Sequence, residues 1–145
     1  MPTHAERRIV AYSPAQMYDL VADIKRYPEF LPWCISVVEK SRTGNVIEAD
    51  MAIGFKALRE QFTSRVTLES GRAISVEYLN GPFRYLKNHW VFHEHPQGCE
   101  IEFFIDFEFR SRILQMVIGT LFNEAVRIMV RAFETRATRL YGRAK

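Results

Sequence analysis

From Cys34 to Phe109 apolar and polar residues alternate at every second position, the period of strands with one covered face. From Ser111 to Tyr141 the period changes, and apolar residues recur at helical spacing. Turns carrying Gly, Asn or Pro cut the first region into strands at Ile35–Ser41, Val46–Lys56, Leu58–Glu69, Arg72–Leu79, Phe83–Glu94 and Cys99–Phe109. In the last of these Ile101, Phe103, Ile105, Phe107 and Phe109 face one way, and Glu100, Glu102, Asp106 and Glu108 the other. Such a run reads as an antiparallel meander covered on one side only. The second region lacks proline, so as one helix of about 30 residues it spans about 45 Å. Leu114, Val117, Ile118, Leu121, Phe122, Ala125, Ile128, Met129, Ala132, Phe133 and Leu140 share its broad apolar face. Asn123, Arg127, Arg131, Glu134 and Thr138 fall opposite, and Ser111 is the N-cap.

Ahead of the meander, Thr3–Ala11 reads as a strand that ends at a helix signal. Ser13 stands at the N-cap, Pro14 at the first helical position and Gln16 at the capping-box position. Met17, Leu20, Val21 and Ile24 continue at helical spacing. In Tyr27–Trp33 the two prolines, Pro28 and Pro32, leave room for one short helix around Pro28–Leu31. The order strand, two short helices, meander, long helix predicts a single α+β domain over residues 1–145. A curved antiparallel sheet wraps the long C-terminal helix, burying both apolar surfaces at once. A tunnel remains between sheet and helix wherever the lining side chains do not fill it.

Composition narrows the classes. A chain of 145 residues, 48% hydrophobic and 26% charged, suits one globular domain. The net charge of +3 permits contact with anionic lipid or RNA without demanding either, and no DNA partner is expected. Cys34 and Cys99 have neither zinc spacing nor a disulfide framework and read as free thiols. The first residues form no apolar leader, and the expected location is the cytoplasm, peripheral to the inner membrane at most. No nucleophile elbow, phosphate loop or H-E-x-x-H is present.

The segments Tyr27–Cys34, Gly54–Val66, Gly81-Pro82-Phe83 with Trp90-Val91-Phe92, and Phe107–Ser111 resemble the coenzyme Q-binding START-domain family. That family lies within the polyketide cyclase/START superfamily. The resemblance implies a START/Bet v 1-like helix-grip fold with an apolar cavity. It implies ubiquinone binding in support of respiration for one branch, and interference with ribosomal subunit association for a toxin branch. No other cofactor is implied.

Strand parity names the candidate site. Met51, Ile53, Phe62, Trp90, Phe103 and Phe107 would line the tunnel with Leu121 and Ala125 of the long helix. Glu60, Ser64, Tyr78 and Asn88 share that parity; Tyr78 and Asn88, with Ser64 as a third, would donate to quinone oxygens. The bland alternative is a filled core in which these polar groups satisfy one another. Glu60 beside Tyr78 or Asn88 is the acid–base set that a cyclase-like enzyme would use. His89, His93 and His95 have the opposite parity and point to solvent, so no metal site is expected. Tyr27, Phe30, Leu31 and Trp33 are expected to form a lid next to the start of the long helix. Arg110, Arg112, Ile113 and Met116 suit a membrane contact, or else pack against the lid or a second copy. Arg127, Arg131, Arg139 and Arg143 make the rest of the helix basic, the feature a ribosomal subunit would meet.

Overall fold

The computed structural model describes residues 3–55 and 58–142, so the Lys56 end of one expected strand, and Arg143, lie outside the described residues. Seven antiparallel strands form one sheet in the order β1-β7-β6-β5-β4-β3-β2. They are β1 (Thr3–Val10), β2 (Cys34–Thr43), β3 (Val46–Phe55), β4 (Leu58–Glu69), β5 (Ala73–Asn80), β6 (Phe83–His95) and β7 (Gly98–Phe109). β2 to β7 pair in sequence order, as short turns enforce, and β1 closes on β7 from Thr3↔Asp106 to Val10↔Cys99. That closure requires Gly98. A Cβ there would stand 2.3 Å from the Val10 carbonyl oxygen.

Between β1 and β2 run α1 (Pro14–Ala22), a 3₁₀ turn (Ile24–Arg26) and α2 (Tyr27–Phe30). The Ser13 hydroxyl accepts from the Gln16 N–H at 3.1 Å, and the Gln16 side chain accepts from the Ser13 N–H at 3.0 Å. Both orphan donors of the first turn are thereby satisfied. Ile24 belongs to the 3₁₀ turn rather than to α1, yet it is still buried. α3 (Arg112–Tyr141) crosses the concave face of the sheet. Ser111 caps it, accepting from the Leu114 N–H at 3.2 Å, and the Gln115 side chain accepts from the Phe109 N–H at 2.8 Å, which pins strand to helix.

The core forms in two parts. Met17, Leu20 and Val21 of α1 pack with Phe92, Ile101 and Phe133, whereas Phe62, Phe83, Phe107, Phe109 and Ile118 form an aromatic cluster. The buried stripe of α3 is Ile118, Val126, Met129, Phe133 and Ala137. Val117 and Leu140, expected on the apolar face, are exposed. An arc wider than the groove that receives it leaves its margins in water.

α2 does not dock where expected. Phe30 meets Phe133 with ring centroids 5.3 Å apart, and Glu29 pairs with Arg136 at 3.1 Å. Those partners lie in the last third of α3, about 30 Å along the axis from Ser111. The start of α3 therefore lacks the lid as a neighbour.

Candidate functional site

A cavity of ≈ 200 Å³ lies between the concave face of the sheet and α3. Its floor includes Met51 and Ile53 of β3, Phe62 and Ser64 of β4, Asn88 and Trp90 of β6, and Phe103 and Phe107 of β7. Strict alternation delivers them, because every second residue of a strand points inward. Ile118, Phe122, Ala125, Val126, Met129 and Phe133 form the roof, and Ile24, Tyr27, Leu31 and Trp33 close one side. A dry cavity of about 150 Å³ lined by Leu, Ile and Phe accepts benzene. The volume here suits one ring-sized group and is too small for a long tail as well.

No lining side chain among the described residues is charged, and three carry polar groups that bear on a ligand. Ser64 is buried at 4% exposure. Asn88 donates an amide N–H to the Phe104 carbonyl at 2.9 Å, so part of its donor capacity already ties β6 to β7. Trp33 Nε1 is buried and has no hydrogen-bond partner among the described residues. An unmatched buried donor costs about 1–3 kcal/mol. The Tyr27 hydroxyl donates to the Val21 carbonyl, and burial pushes its phenol up, so it stays neutral.

Three expected lining residues, Glu60, Tyr78 and Leu121, and one expected lid residue, Phe30, are not part of the lining. Glu60 has the inward parity and pairs with the lining residue Ile53, but it is not itself part of the cavity lining. The Tyr78 hydroxyl accepts from the Phe83 N–H at 3.1 Å, and its ring meets Phe83 edge-on at 5.5 Å. It braces the β5–β6 turn instead of the ligand space. Leu121 sits one residue, about 100° of helix, from Phe122, which takes its place. Phe30 is a backing residue, packed on Tyr27 and Phe133 under the Arg136 guanidinium, 5.1 Å from its ring. Glu60, Tyr78 and Asn88 therefore do not converge as an acid–base set. Phe83, Phe109, Phe122 and Val126 line the cavity unforeseen. Phe109 shares the inward parity of Phe103 and Phe107, whereas Phe83 has the parity opposite to Leu86, Asn88 and Trp90 and turns inward where the register shifts between Phe83 and Tyr85.

Outside the cavity, His89 stacks on Phe104 at 5.1 Å, and His93 lies 2.8 Å from Glu102. Among the described residues no three His, Cys, Asp or Glu side chains could hold a metal ion. At the start of α3, Ile113 and Met116 are 74% and 72% exposed. Arg112 beside them is exposed, and Arg110 donates to the Phe83 carbonyl at 3.0 Å, tying the patch to the β5–β6 turn. α3 is long and apolar enough over an 18-residue stretch to cross a bilayer by length and composition alone, yet only 11% of that stretch is buried. Arg127, Arg131 and Arg139 are exposed further along.

Residues 10–134 match the family described as polyketide cyclase / dehydrase and lipid transport. The ribosome association toxin RatA of Rickettsia prowazekii (strain Madrid E) is 40% identical over 134 residues, 90% of this chain and 92% of that protein. The mitochondrial coenzyme Q-binding protein COQ10 homolog B of Xenopus laevis is 32% identical over 145 residues, 97% of this chain and 59% of that protein. The solution structure of the 18 kDa protein CC1736 from Caulobacter crescentus superposes with a TM-score of 0.81 at 32% identity, covering 99% of this chain and all of that one.

Proposed function

The chain belongs to the polyketide cyclase / dehydrase and lipid transport family, and from that premise we propose that its tunnel binds a polyprenyl quinone of the ubiquinone type. The protein is then a lipid carrier that serves respiration at a membrane surface, and not an enzyme. The observation that carries this reading is the cavity, ring-sized and lined by apolar side chains with a few polar groups among them. Burial of the ring supplies affinity. A quinone carbonyl is an acceptor for which Trp33 Nε1 and the Ser64 hydroxyl are donors. The tail, too long for ≈ 200 Å³, leaves the cavity. Exposed Ile113 and Met116, with Arg112 beside them, are where it meets lipid. The resemblance to a coenzyme Q-binding protein over 97% of the chain supports the same choice of ligand.

Mass spectrometry of organic extracts from protein purified out of its native host tests this. A co-purifying quinone, lost in Ala125→Trp, is the expected result. Extracts free of quinone, together with no quenching of Trp33 emission by added quinone, would overturn it.

A second reading is association with a ribosomal subunit. It is favoured by the 40% identity to a ribosome association toxin over nearly the full length of both chains, and by the exposed arginines of α3. Co-sedimentation with isolated subunits tests it, and its absence at low salt would remove it.

A further inference from the structure

A second depression, ≈ 640 Å³ and open to solvent, lies on the other side of α3, between that helix and the edge strand β1. We propose that this groove is a docking site for the phosphodiester backbone of single-stranded RNA. The proposal deepens the ribosome-association reading by naming the face and the chemistry it recognises, and it is independent of the tunnel ligand.

The helix side of the groove presents Asn123, Arg127, Arg131 and Thr135, one hydrogen-bonding side chain every fourth residue. That repeat is about 6 Å along the axis, on the order of the distance between neighbouring phosphates in an extended strand. Arg127 and Arg131 are exposed, and among the described residues neither makes an ion pair. The strand side is different. Arg8 donates to Glu6 at 2.7 Å and to Glu134 at 2.8 Å, and His4 Nε2 lies 2.8 Å from Glu6. Glu6 and Glu134 thus share the Arg8 guanidinium, and with His4 neutral the lining carries one more cation than carboxylates.

The lining also says what is not read. Among the described residues it contains no Phe, Tyr or Trp on which a base could stack, and no exposed large apolar side chain for a lipid surface. Recognition is through phosphates and does not depend on sequence.

Fluorescence anisotropy with labelled oligouridylate and oligoadenylate, followed through a salt titration, is the test. Both RNAs should bind alike. Arg127→Ala with Arg131→Ala should weaken binding more than tenfold and reduce the salt slope by about 1.4, since each phosphate contact on a single strand contributes about 0.7. Ala125→Trp should bind as wild type does. A double variant that binds like wild type, a strong preference for one base, or the same arginine dependence on phosphatidylglycerol vesicles would overturn the groove. Co-sedimentation of the double variant separates the two ideas. Subunits that still pellet with it leave the ribosome reading standing and reject the groove. Arginine-dependent RNA binding with no subunit association does the reverse.

Discussion

Gly44, in a hairpin turn, and Gly98, the first residue of β7, have φ of +59° and +139°, but their surroundings differ. A Cβ on Gly44 would meet nothing within 4 Å, so Gly44→Ala carries only the left-handed backbone cost of about 1 kcal/mol. At Gly98 the same atom collides with the backbone of β1, and the loss should be larger, on the order of 2 kcal/mol or more, in denaturant unfolding. Equal losses would mean that β1 is not seated against Gly98. Ala125 is the opposite case, a small side chain beside empty volume. Tryptophan there should cost less than about 1.5 kcal/mol while abolishing quinone uptake. A large loss of stability with uptake intact would identify Ala125 as close-packed core. The buried thiols add a pH dependence. Burial pushes Cys34 and Cys99 up to about 11, so both are neutral in the folded protein at neutral pH. Folded thiols that ionise later than unfolded ones contribute stability that is complete at neutral pH and lost as pH rises toward 11. Replacing Cys34 by Ala should flatten that decline, and an unchanged alkaline profile would place its cause elsewhere.

Among the elements, α2 packs on the later turns of α3, where Tyr27, Leu31 and Trp33 close one side of the cavity. Arg136, 13% exposed, bonds Glu29 at 3.1 Å and covers the Phe30 ring, so its stem packs as well as its charge. Arg136→Ala should speed quinone exchange several-fold at a stability cost of about 1 kcal/mol, read from Trp33 emission in a Trp90→Phe background. Slower folding or lower stability with unchanged exchange would make α2 a brace, not a lid. The position of this pair could not be read from the chain, because Phe30 and Phe133 are far apart in sequence and nothing local couples them. What could be read was local. The alternation in β7, the proline-free run of α3 and the capping box at Ser13 each specify an element from residues a few positions apart. An arc as wide as that of α3 does not say which part touches the sheet, so the pattern alone points to Leu121 where Phe122 lines the cavity. Strand parity gives the face where the ladder is regular and fails at the register shift between Phe83 and Tyr85, which turns Phe83 inward. Glu60 stays out of the lining although its partner Ile53 belongs to it, and Tyr78, beside the register shift at Thr63/Ser64, braces a turn.

For the whole molecule, α3 divides two kinds of surface. One face roofs an apolar tunnel, and the opposite face borders a charged groove, with Val126 touching both. On the quinone-carrier reading its exposed start belongs with the tunnel, since a tail leaving the cavity would need apolar company such as a membrane supplies. Each apolar side chain moved from water into the interface contributes about 1.5–3 kcal/mol at most, and each cation near an anionic surface about 1 kcal/mol. Ile113→Ser with Met116→Ser should therefore reduce binding to phosphatidylglycerol vesicles at least tenfold. It should leave thermal stability unchanged, because both residues are exposed at more than 70%. Arg112→Glu should weaken binding further at low salt, and this effect should fade at high salt as the charges are screened. Quinone transfer between vesicles should slow in step with the lost binding. If the serine pair binds vesicles normally, the patch is not the membrane contact, and ligand must enter the tunnel by way of α2.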